Sequence, residues 1–473
     1  MTGSLPDPDR QEDVIDFLSQ PGSYGLRNGP VERVETHCSI VFLAADRAYK
    51  LKRKIRFASL DYTTTALREA ACRAEVVLNR RTAPDMYLGV RSINRHPDGT
   101  LAFDGNGPAL DHVVVMRRFA QDDLFDRMAD RGALTPALMH DLGLAIARLH
   151  LAAEITPRFG GSAAIRHVVA VNERELARVS DAMDGAAFDR LRQRISEALE
   201  QVAPLLDQRG TSGRVRRCHG DLRLANICLW CGHPTLFDCI EFSDETSCVD
   251  VLFDLAFLLM DLHLRSRNDY ANAVFNAYLD LMPEGDGLVV LPLFMTVRAV
   301  TRSYALAGKA GRQSNPHKKA LLLAMARQHI NAGLEFLTSP EPSLMAVGGD
   351  TADGRAELAV PLATLVDPVP GARLLHLRAA SDSVWNDVSV LLTAGCSVLV
   401  EGAFTGEAER REIVELASTH DVPFTGVWIG SPPDGLEPRH WHIVEAGHWA
   451  SALASLALSL SSPPSRTDAP PVQ

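Results

Sequence analysis

One stretch, residues 218–242, constrains the fold of this 473-residue chain more than any other. It contains Asp221, then Asn226 five residues later, then Asp238 twelve residues after that. Carboxylate and amide oxygens are ligands that suit a hard cation such as Mg²⁺. A fold that brings Asn226 and Asp238 together would therefore create a site for a divalent cation.

The local pattern predicts such a fold. Residues 226–230 and 236–242 are apolar runs typical of strands, and 231–235 between them holds glycine and proline, which favour a turn. A hairpin of this kind would place Asn226 and Asp238 at the ends of neighbouring strands. A plain turn between core strands is the alternative, and the spacing of the polar residues argues against it.

A carboxylate, a metal-binding amide and a metal-binding carboxylate follow one another here in the order that a kinase-type active site requires for phosphoryl transfer from ATP. We expect Asp221 to accept or orient the proton of an acceptor hydroxyl. Asn226 and Asp238 would hold Mg²⁺. His219 is predicted to brace the catalytic loop rather than react.

The bulk properties limit the remaining possibilities. A chain of this length predicts two or three domains. Its net charge of −11 argues against broad binding to nucleic acid or to an anionic membrane. The N-terminus lacks the apolar core of a signal peptide, so we expect a cytoplasmic protein. The pair Cys228 and Cys231 lacks the second pair of a zinc site, and buried hydrophobic roles are favoured for both.

A phosphate-binding lysine is expected on an early strand, and Lys50 and Lys52 both qualify by position. They share one face of the strand. Lys50 is preferred because the small residue Ala48 stands two positions before it, where adenine would pack. The other basic residues of 52–56 are expected on a solvated strand face.

The carboxylate that pairs with this lysine is expected on the following helix. Glu75 and Glu69 are the candidates, and Glu75 is preferred because the apolar residues 76–78 beside it indicate an inward face. Asp254 lies in a strongly apolar helix and needs partners there. Bracing the catalytic loop would supply them.

The pattern along the chain predicts four segments and a tail. Residues 1–119 are rich in predicted strands, and 120–338 are mostly helical apart from the hairpin. A linker is predicted at 339–343. Strands and helices alternate over 344–462, which predicts a small α/β domain with a parallel sheet. Residues 463–473 are rich in proline and serine and are predicted to be disordered.

Together these motifs resemble the aminoglycoside phosphotransferase-like branch of the protein-kinase-like fold. The resemblance rests on 219–226, 237–238 and 254–256. It implies an α+β bilobal fold with ATP between a β-rich and a helical lobe, and Mg²⁺ at Asn226 and Asp238. Residues 114–119, which include Met116, would be the hinge that touches adenine.

The segments 48–53, 57–62, 78–81 and 83–89 resemble a bacterial subfamily in which such a domain is often fused to a C-terminal P-loop kinase-like domain. A working P-loop reads GxxxxGK[ST]. Here Gly349 and Gly354 are spaced correctly, but Arg355 replaces the lysine and Ala356 replaces the hydroxyl residue. This predicts a P-loop-like domain that has lost triphosphate chemistry. A tight turn with no nucleotide ancestry is the alternative.

The expected function is that of an ATP- and Mg²⁺-dependent phosphotransferase acting on the hydroxyl of a small molecule. A protein kinase and a non-catalytic scaffold that binds partners through its C-terminal domain are the alternatives. The sequence identifies neither the acceptor nor the oligomeric state.

Overall fold

We describe the protein from a computed structural model. The described residues are 11–57, 60–179, 185–338, 340–377, 382–445, 447 and 453–454. The predicted disordered tail at 463–473 lies outside them. The chain divides into two compact units. Unit 1 is drawn from 1–134, 148–160 and 210–254, and unit 2 from 135–147, 161–209 and 255–473.

The secondary structure is as follows. The strands are β1 Glu32–Glu35, β2 Ser39–Ala44, β3 Arg47–Lys52, β4 Arg56–Phe57, β5 Leu60–Asp61, β6 Tyr87–Arg95, β7 Leu101–Phe103, β8 Ala109–Arg117, β9 Val215–Arg217, β10 Ile227–Trp230, β11 His233–Leu236, β12 Cys248–Asp250, β13 Leu344–Gly349, β14 Arg373–Leu377, β15 Val398–Gly402, β16 Phe424–Ile429 and β17 Trp441–Val444. The α-helices are α1 Gln11–Leu18, α2 Thr65–Asn79, α3 Phe125–Asp130, α4 Pro136–Ala152, α5 Ser162–Ala177, α6 Gly185–Thr211, α7 Asp244–Ser247, α8 Val251–Leu264, α9 Asn268–Leu281, α10 Leu291–Gly311, α11 Pro316–Leu337, α12 Ala352–Thr364, α13 Asp382–Thr393 and α14 Glu407–Thr419.

The main sheet of unit 1 has six strands in the order β1-β2-β3-β8-β6-β7, all paired antiparallel. Side chains alternate between its two faces. On one face Phe42 and Val113 pack with the buried residues of α1. On the other face Ala48 and Val114 pack with Val76 of α2. The sheet is thus covered on both sides, and α2 lies against the face that carries the candidate lysines.

Helix α2 begins after a threonine cap, Thr64. The Thr64 hydroxyl accepts a hydrogen bond from the Leu67 N–H at 3.2 Å, which satisfies one of the free amides of the first turn. Cys72, Glu75 and Asn79 lie on the buried side of the helix. This spacing of three and four residues directs one stripe of α2 toward the sheet.

The predicted hairpin is present, but its turn is shorter than expected. Strands β10 and β11 pair antiparallel, with Trp230 opposite His233, so only Cys231 and Gly232 form the turn. Both have positive φ, 51° and 82°, as a two-residue type I′ turn requires. The predicted second strand at 236–242 was therefore wrong, because the tight turn starts that strand at His233 and ends it at Leu236, before Asp238.

Unit 2 contains packed helices and a parallel sheet. Helix α10 packs on α11 and α5. The sheet has five strands in the order β14-β15-β13-β16-β17, all parallel. The predicted parallel sheet is therefore confirmed. The Asn272 amide of α9 donates to the carbonyls of Pro370 and Ala372 at 3.1 and 3.0 Å, which ties α9 to the segment that leads into β14.

Within the described residues, one segment, Gly285–Gly311, is long and apolar enough to cross a membrane by length and composition. Inside the protein, 67% of its most apolar window is buried. A core helix meets the same two criteria, and α10, which forms most of this segment, packs on α11.

Candidate active site

Unit 1 contains a cavity of about 210 Å³ on the α2 side of the main sheet. Its apolar wall comes from strands β1, β2, β3, β6 and β8 and from the segments around them. The main apolar lining residues are Val34, Val41, Leu43, Ala48, Met116, Phe119, Leu124 and Phe237. Lys50, Asn226 and Asp238 also line it. A mostly apolar pocket with a few convergent polar groups is the usual form of a cofactor site.

Lys50 reaches this cavity from β3. Its Nζ donates to Glu75 Oε1 at 2.8 Å and also contacts Asp238 Oδ1. Burial opposes the charging of Lys50, but Asp238 and Glu75 outweigh it and hold the pKa of the lysine well above its usual range. Lys50 is therefore a fixed cation at the wall of the cavity.

The structure distinguishes between the two candidate glutamates by their contacts. Glu75 is fully buried and lies beside both candidate lysines. Glu69 instead accepts from Arg73 at 2.8 Å on a more exposed part of α2. The Arg73 hydrogen bond lowers the pKa of Glu69 below its usual value. Glu75 is thus the carboxylate that pairs with Lys50.

The expectation that Lys52 lies on a solvated strand face was wrong. Its side chain is only 3% exposed and contacts Glu75 Oε2 and Glu241 Oε1. The reason is the period of two along β3, which puts Lys52 under α2 together with Lys50. Two carboxylates there allow the second lysine to remain charged in a buried place.

Asp221 and Asn226 are held together in the loop before β10. Both oxygens of Asp221 accept from Arg223, Nε to Oδ1 at 2.7 Å and Nη2 to Oδ2 at 2.8 Å. Asn226 Nδ2 donates to Asp221 Oδ2 at 2.9 Å and to the Asp221 carbonyl at 2.8 Å. These bonds fix the orientation of the amide and leave Asn226 Oδ1 as its potential metal ligand.

His219 is completely buried and braces this loop. Its Nε2 lies 2.9 Å from the Phe237 carbonyl, and its Nδ1 accepts the Asp221 N–H at 3.3 Å. Since the carbonyl can only accept, Nε2 carries a proton. His219 therefore joins the loop to the segment before Asp238.

Asp254 completes the support of the loop. Its carboxylate accepts from the His219 and Gly220 amides at 3.0 and 2.9 Å and lies 3.2 Å from His150 Nε2. Gly220 has φ of 88°, where a side chain would be strained, and a Cβ there would lie 3.1 Å from the Thr246 carbonyl. The predicted bracing role of this buried aspartate is confirmed.

Asp238 lies just after the hairpin with a left-handed backbone, φ 63°. Its N–H donates to the Tyr87 hydroxyl at 3.1 Å, and the next amide, of Cys239, donates to Asn79 Oδ1 at 2.9 Å. Burial opposes ionisation, but Lys50 holds the pKa of Asp238 below its usual range. The carboxylate is thus ionised and held at the edge of the cavity.

Tyr87 and Asn79 received no role from the sequence. Both lie in segments that carry the resemblance to the bacterial subfamily, 83–89 and 78–81, but their contacts with the residues around Asp238 span more than 150 positions of sequence. Spacing within a strand or helix gives no sign of such a contact.

The segment predicted as the hinge forms the end of β8. Met116 lies opposite Ala48 and Tyr87 in the sheet and lines the cavity. Beyond it, the rings of Phe119 and Phe237 meet edge to face with centroids 5.2 Å apart. These side chains form an apolar slot, and its contact with adenine stays a prediction.

The carboxyl edge of the parallel sheet in unit 2 differs from a working P-loop in its contacts. Helix α12 begins at Ala352, and Gly354 lies buried in its first turn. Arg355 donates to the Gly349 carbonyl at 2.6 Å and to Glu401 at 2.5 Å. The P-loop ancestry of this domain stays a prediction.

Comparison with known proteins concerns the segment that carries part of the cavity in unit 1. Residues 97–288 match the Phosphotransferase enzyme family. This segment contains Asp221, Asn226 and Asp238 and begins after Lys50 and Glu75. Uncharacterized protein Rv2004c of Mycobacterium tuberculosis and Uncharacterized protein Mb2027c of Mycobacterium bovis are each 28% identical to this chain over 410 residues. Each alignment covers 84% of this chain and 78% of the relative.

Several solved structures are similar at low sequence identity. A choline/ethanolamine kinase family protein from Mesorhizobium loti matches 68% of this chain and 98% of its own, with 16% identity and a TM-score of 0.39. Choline kinase from Cryptosporidium parvum matches 69% and 96%, with 9% identity and a TM-score of 0.42. An aminoglycoside phosphotransferase from Alicyclobacillus acidocaldarius matches 67% and 94%, with 14% identity and a TM-score of 0.38.

Proposed function

We propose that this protein transfers the γ-phosphoryl group of ATP, with Mg²⁺, to a hydroxyl group of a small molecule. One observation carries the proposal. Lys50, Asn226 and Asp238 line a single cavity in unit 1, and Asn226 donates directly to Asp221. The match of residues 97–288 to the Phosphotransferase enzyme family supports the same reaction class.

The charged residues of the cavity suit the requirements of phosphoryl transfer, which depends on positioning and on neutralising charge. Lys50 offers an ammonium to the phosphate oxygens and is kept in place by Glu75. Asn226 Oδ1 and the Asp238 carboxylate are hard oxygen donors and would hold Mg²⁺. The bound ion would neutralise phosphate charge that the protein alone leaves unbalanced.

Asp221 is the residue proposed to act on the acceptor. A carboxylate oxygen placed there orients the acceptor hydroxyl and takes its proton as the new phosphate ester bond forms. Both of its oxygens accept from Arg223 in the structure. Each carboxylate oxygen can accept more than one hydrogen bond, so Asp221 can meet the acceptor hydroxyl while it stays paired with Arg223.

The base of the nucleotide is proposed to lie in the apolar slot of the cavity. Met116, Phe119 and Phe237 supply flat or flexible apolar surfaces, and the small side chain of Ala48 also lines the cavity. A planar base buries well between such side chains.

The acceptor is proposed to be a small molecule because the motifs 219–226 and 237–238 resemble those of aminoglycoside phosphotransferases. A screen of hydroxyl-bearing metabolites with Mg²⁺-ATP, read as ADP release, tests the proposal. We expect at least one metabolite to raise ADP release by wild type and not by Asp221→Asn. ADP release that is equal in the two proteins for every metabolite would overturn it.

The same reaction distinguishes a small-molecule from a protein acceptor. Wild-type protein is incubated with cell lysate and ATP labelled in the γ-phosphate, and the lysate is then separated into metabolite and protein fractions. We expect Asp221-dependent label in the metabolite fraction. Label confined to the protein fraction would make this a protein kinase.

A further inference from the structure

Next to the cavity lies a second buried lysine–carboxylate pair. Lys52 Nζ contacts Glu241 Oε1 and Glu75 Oε2. The Tyr62 hydroxyl donates to the same oxygen of Glu241 at 2.5 Å. The side chains of Lys52 and Glu241 are 3% and 4% exposed. Neither is among the residues that line the cavity, so the pair has no direct access to a ligand there.

Glu75 connects this pair to the residues of the cavity. Its Oε1 accepts from Lys50 and its Oε2 from Lys52. Lys50 in turn contacts Asp238. Positive and negative groups thus alternate without a break from Asp238 to Glu241, and only Asp238 and Lys50, at one end, reach the cavity.

A buried ion pair such as Lys52–Glu241 is a poor way to stabilise a fold. Taking two charges out of water costs more than their attraction returns in many proteins, and apolar side chains of similar size often stabilise the fold at least as well. A second buried lysine and a second buried glutamate therefore call for a role beyond stability, and their place next to Glu75 and Asp238 indicates one.

The role follows from how Glu75 is shared. Because Lys52 occupies Oε2, only Oε1 of Glu75 is left for Lys50. Without Lys52, both oxygens would turn to Lys50 and draw its ammonium away from the cavity. Glu241 adds a second constraint, since it lies three residues after Asp238 and its contact with Lys52 ties that segment to β3.

We propose that Lys52 and Glu241 are positioning residues that set the places of Lys50 and Asp238 on the cavity wall and thereby set the affinity for Mg²⁺-ATP. This inference rests on the proposed function. Tyr62 assists by holding Glu241.

The test removes the pair without changing the charge of the cluster. Three carboxylates and two lysines give the cluster a formal charge of −1, from Asp238, Glu75 and Glu241 against Lys50 and Lys52. The double variant Lys52→Met/Glu241→Gln removes one charge of each sign and keeps −1. A change in affinity then reports position and not net charge.

A matched control exists on the same helix. Arg73→Met/Glu69→Gln removes an ion pair of 2.8 Å from a more exposed part of α2, where the two side chains are 67% and 35% exposed. It also removes one charge of each sign. Each full-length protein is titrated with Mg²⁺-ATP by calorimetry, and its unfolding is followed by circular dichroism.

We expect Lys52→Met/Glu241→Gln to unfold cooperatively and to bind Mg²⁺-ATP at least tenfold more weakly than wild type, and the control to bind within twofold. Lys52→Arg, which keeps the charge, is expected to bind within threefold. A folded double variant that binds within twofold of wild type would overturn the inference and leave the proposed function intact.

Two further results are decisive. If the double variant does not fold, the same titration is made with Tyr62→Phe. We expect this variant to bind Mg²⁺-ATP at least threefold more weakly than wild type. Unchanged affinity would overturn the inference. A wild-type protein that does not bind Mg²⁺-ATP at all refutes the proposed function, and the inference with it.

Discussion

The hydroxyl of Tyr87 offers a sharp test of how Asp238 is held. It accepts the Asp238 N–H at 3.1 Å. The φ of Asp238 is 63°, which is unfavourable for any residue other than glycine. Tyr87 is almost wholly buried, and burial raises the pKa of its hydroxyl well above the usual range. Tyr87→Phe removes this one oxygen and keeps the packing of the ring.

The size of the effect follows from these contacts. A buried hydrogen bond contributes about 1 kcal/mol net, and the left-handed conformation of a non-glycine residue costs about 1 kcal/mol. Losing the bond therefore removes about as much free energy as the conformation of Asp238 costs. At about 1.4 kcal/mol for each tenfold change, we expect Tyr87→Phe to bind Mg²⁺-ATP about fivefold more weakly.

Tyr24→Phe is the matched control for this variant. Its hydroxyl donates to the Leu18 carbonyl at 2.6 Å, in unit 1 but outside the cavity lining. Denaturant unfolding should show a similar loss of about 1 kcal/mol in both variants, while calorimetric titration should show weaker Mg²⁺-ATP binding only in Tyr87→Phe. Equal affinities in the two variants would refute the role given to Tyr87.

Three other predictions address the two sites. Asp221→Asn should lower the single-turnover rate of phosphoryl transfer by about 100-fold or more and leave the Kd for Mg²⁺-ATP within threefold, whereas an unchanged rate contradicts its role. Wild type should bind one ATP per chain in a calorimetric titration, and Asp238→Asn should abolish that binding. ATP still bound by the variant would indicate a site in unit 2 and contradict the interpretation that Arg355, paired with Gly349 and Glu401, is not available to phosphate. The pKa of Glu401 is lowered by the hydrogen bond from His376 and by Arg355. The stability it adds is therefore present above the ordinary value of 4.5 and lost as pH falls through the folded pKa. Denaturant unfolding of wild type and Glu401→Gln should accordingly differ at pH 7, and the difference should shrink as the pH falls through the lowered pKa of Glu401; a difference independent of pH would contradict this.

The sequence predicted the parts of the site that depend on short spacing. Asp221, Asn226 and Asp238 fall within 18 residues, and the period of two along β3 places Lys50 on the face of Ala48. To predict the positions of these residues, only the geometry of one hairpin and one strand has to be known. The βαβ rhythm after residue 343 likewise predicted the parallel sheet.

The sequence did not predict the features that depend on distant partners. The period of two along β3 places Lys52 under α2, but its charged partners there, Glu75 and Glu241, come from two other segments, 23 and 189 positions away. The hydrogen bonds that Tyr87 and Asn79 accept from the Asp238 and Cys239 amides likewise join residues that are far apart in the sequence.

Phosphorus NMR of wild type incubated with Mg²⁺-ATP and the metabolite fraction of a lysate observes the proposed reaction directly. We predict a new phosphomonoester resonance that grows in step with ADP and is absent with Asp221→Asn. Loss of ATP to inorganic phosphate alone, or the same new resonance with Asp221→Asn, would contradict the claim that this cavity and Asp221 transfer phosphate to a hydroxyl.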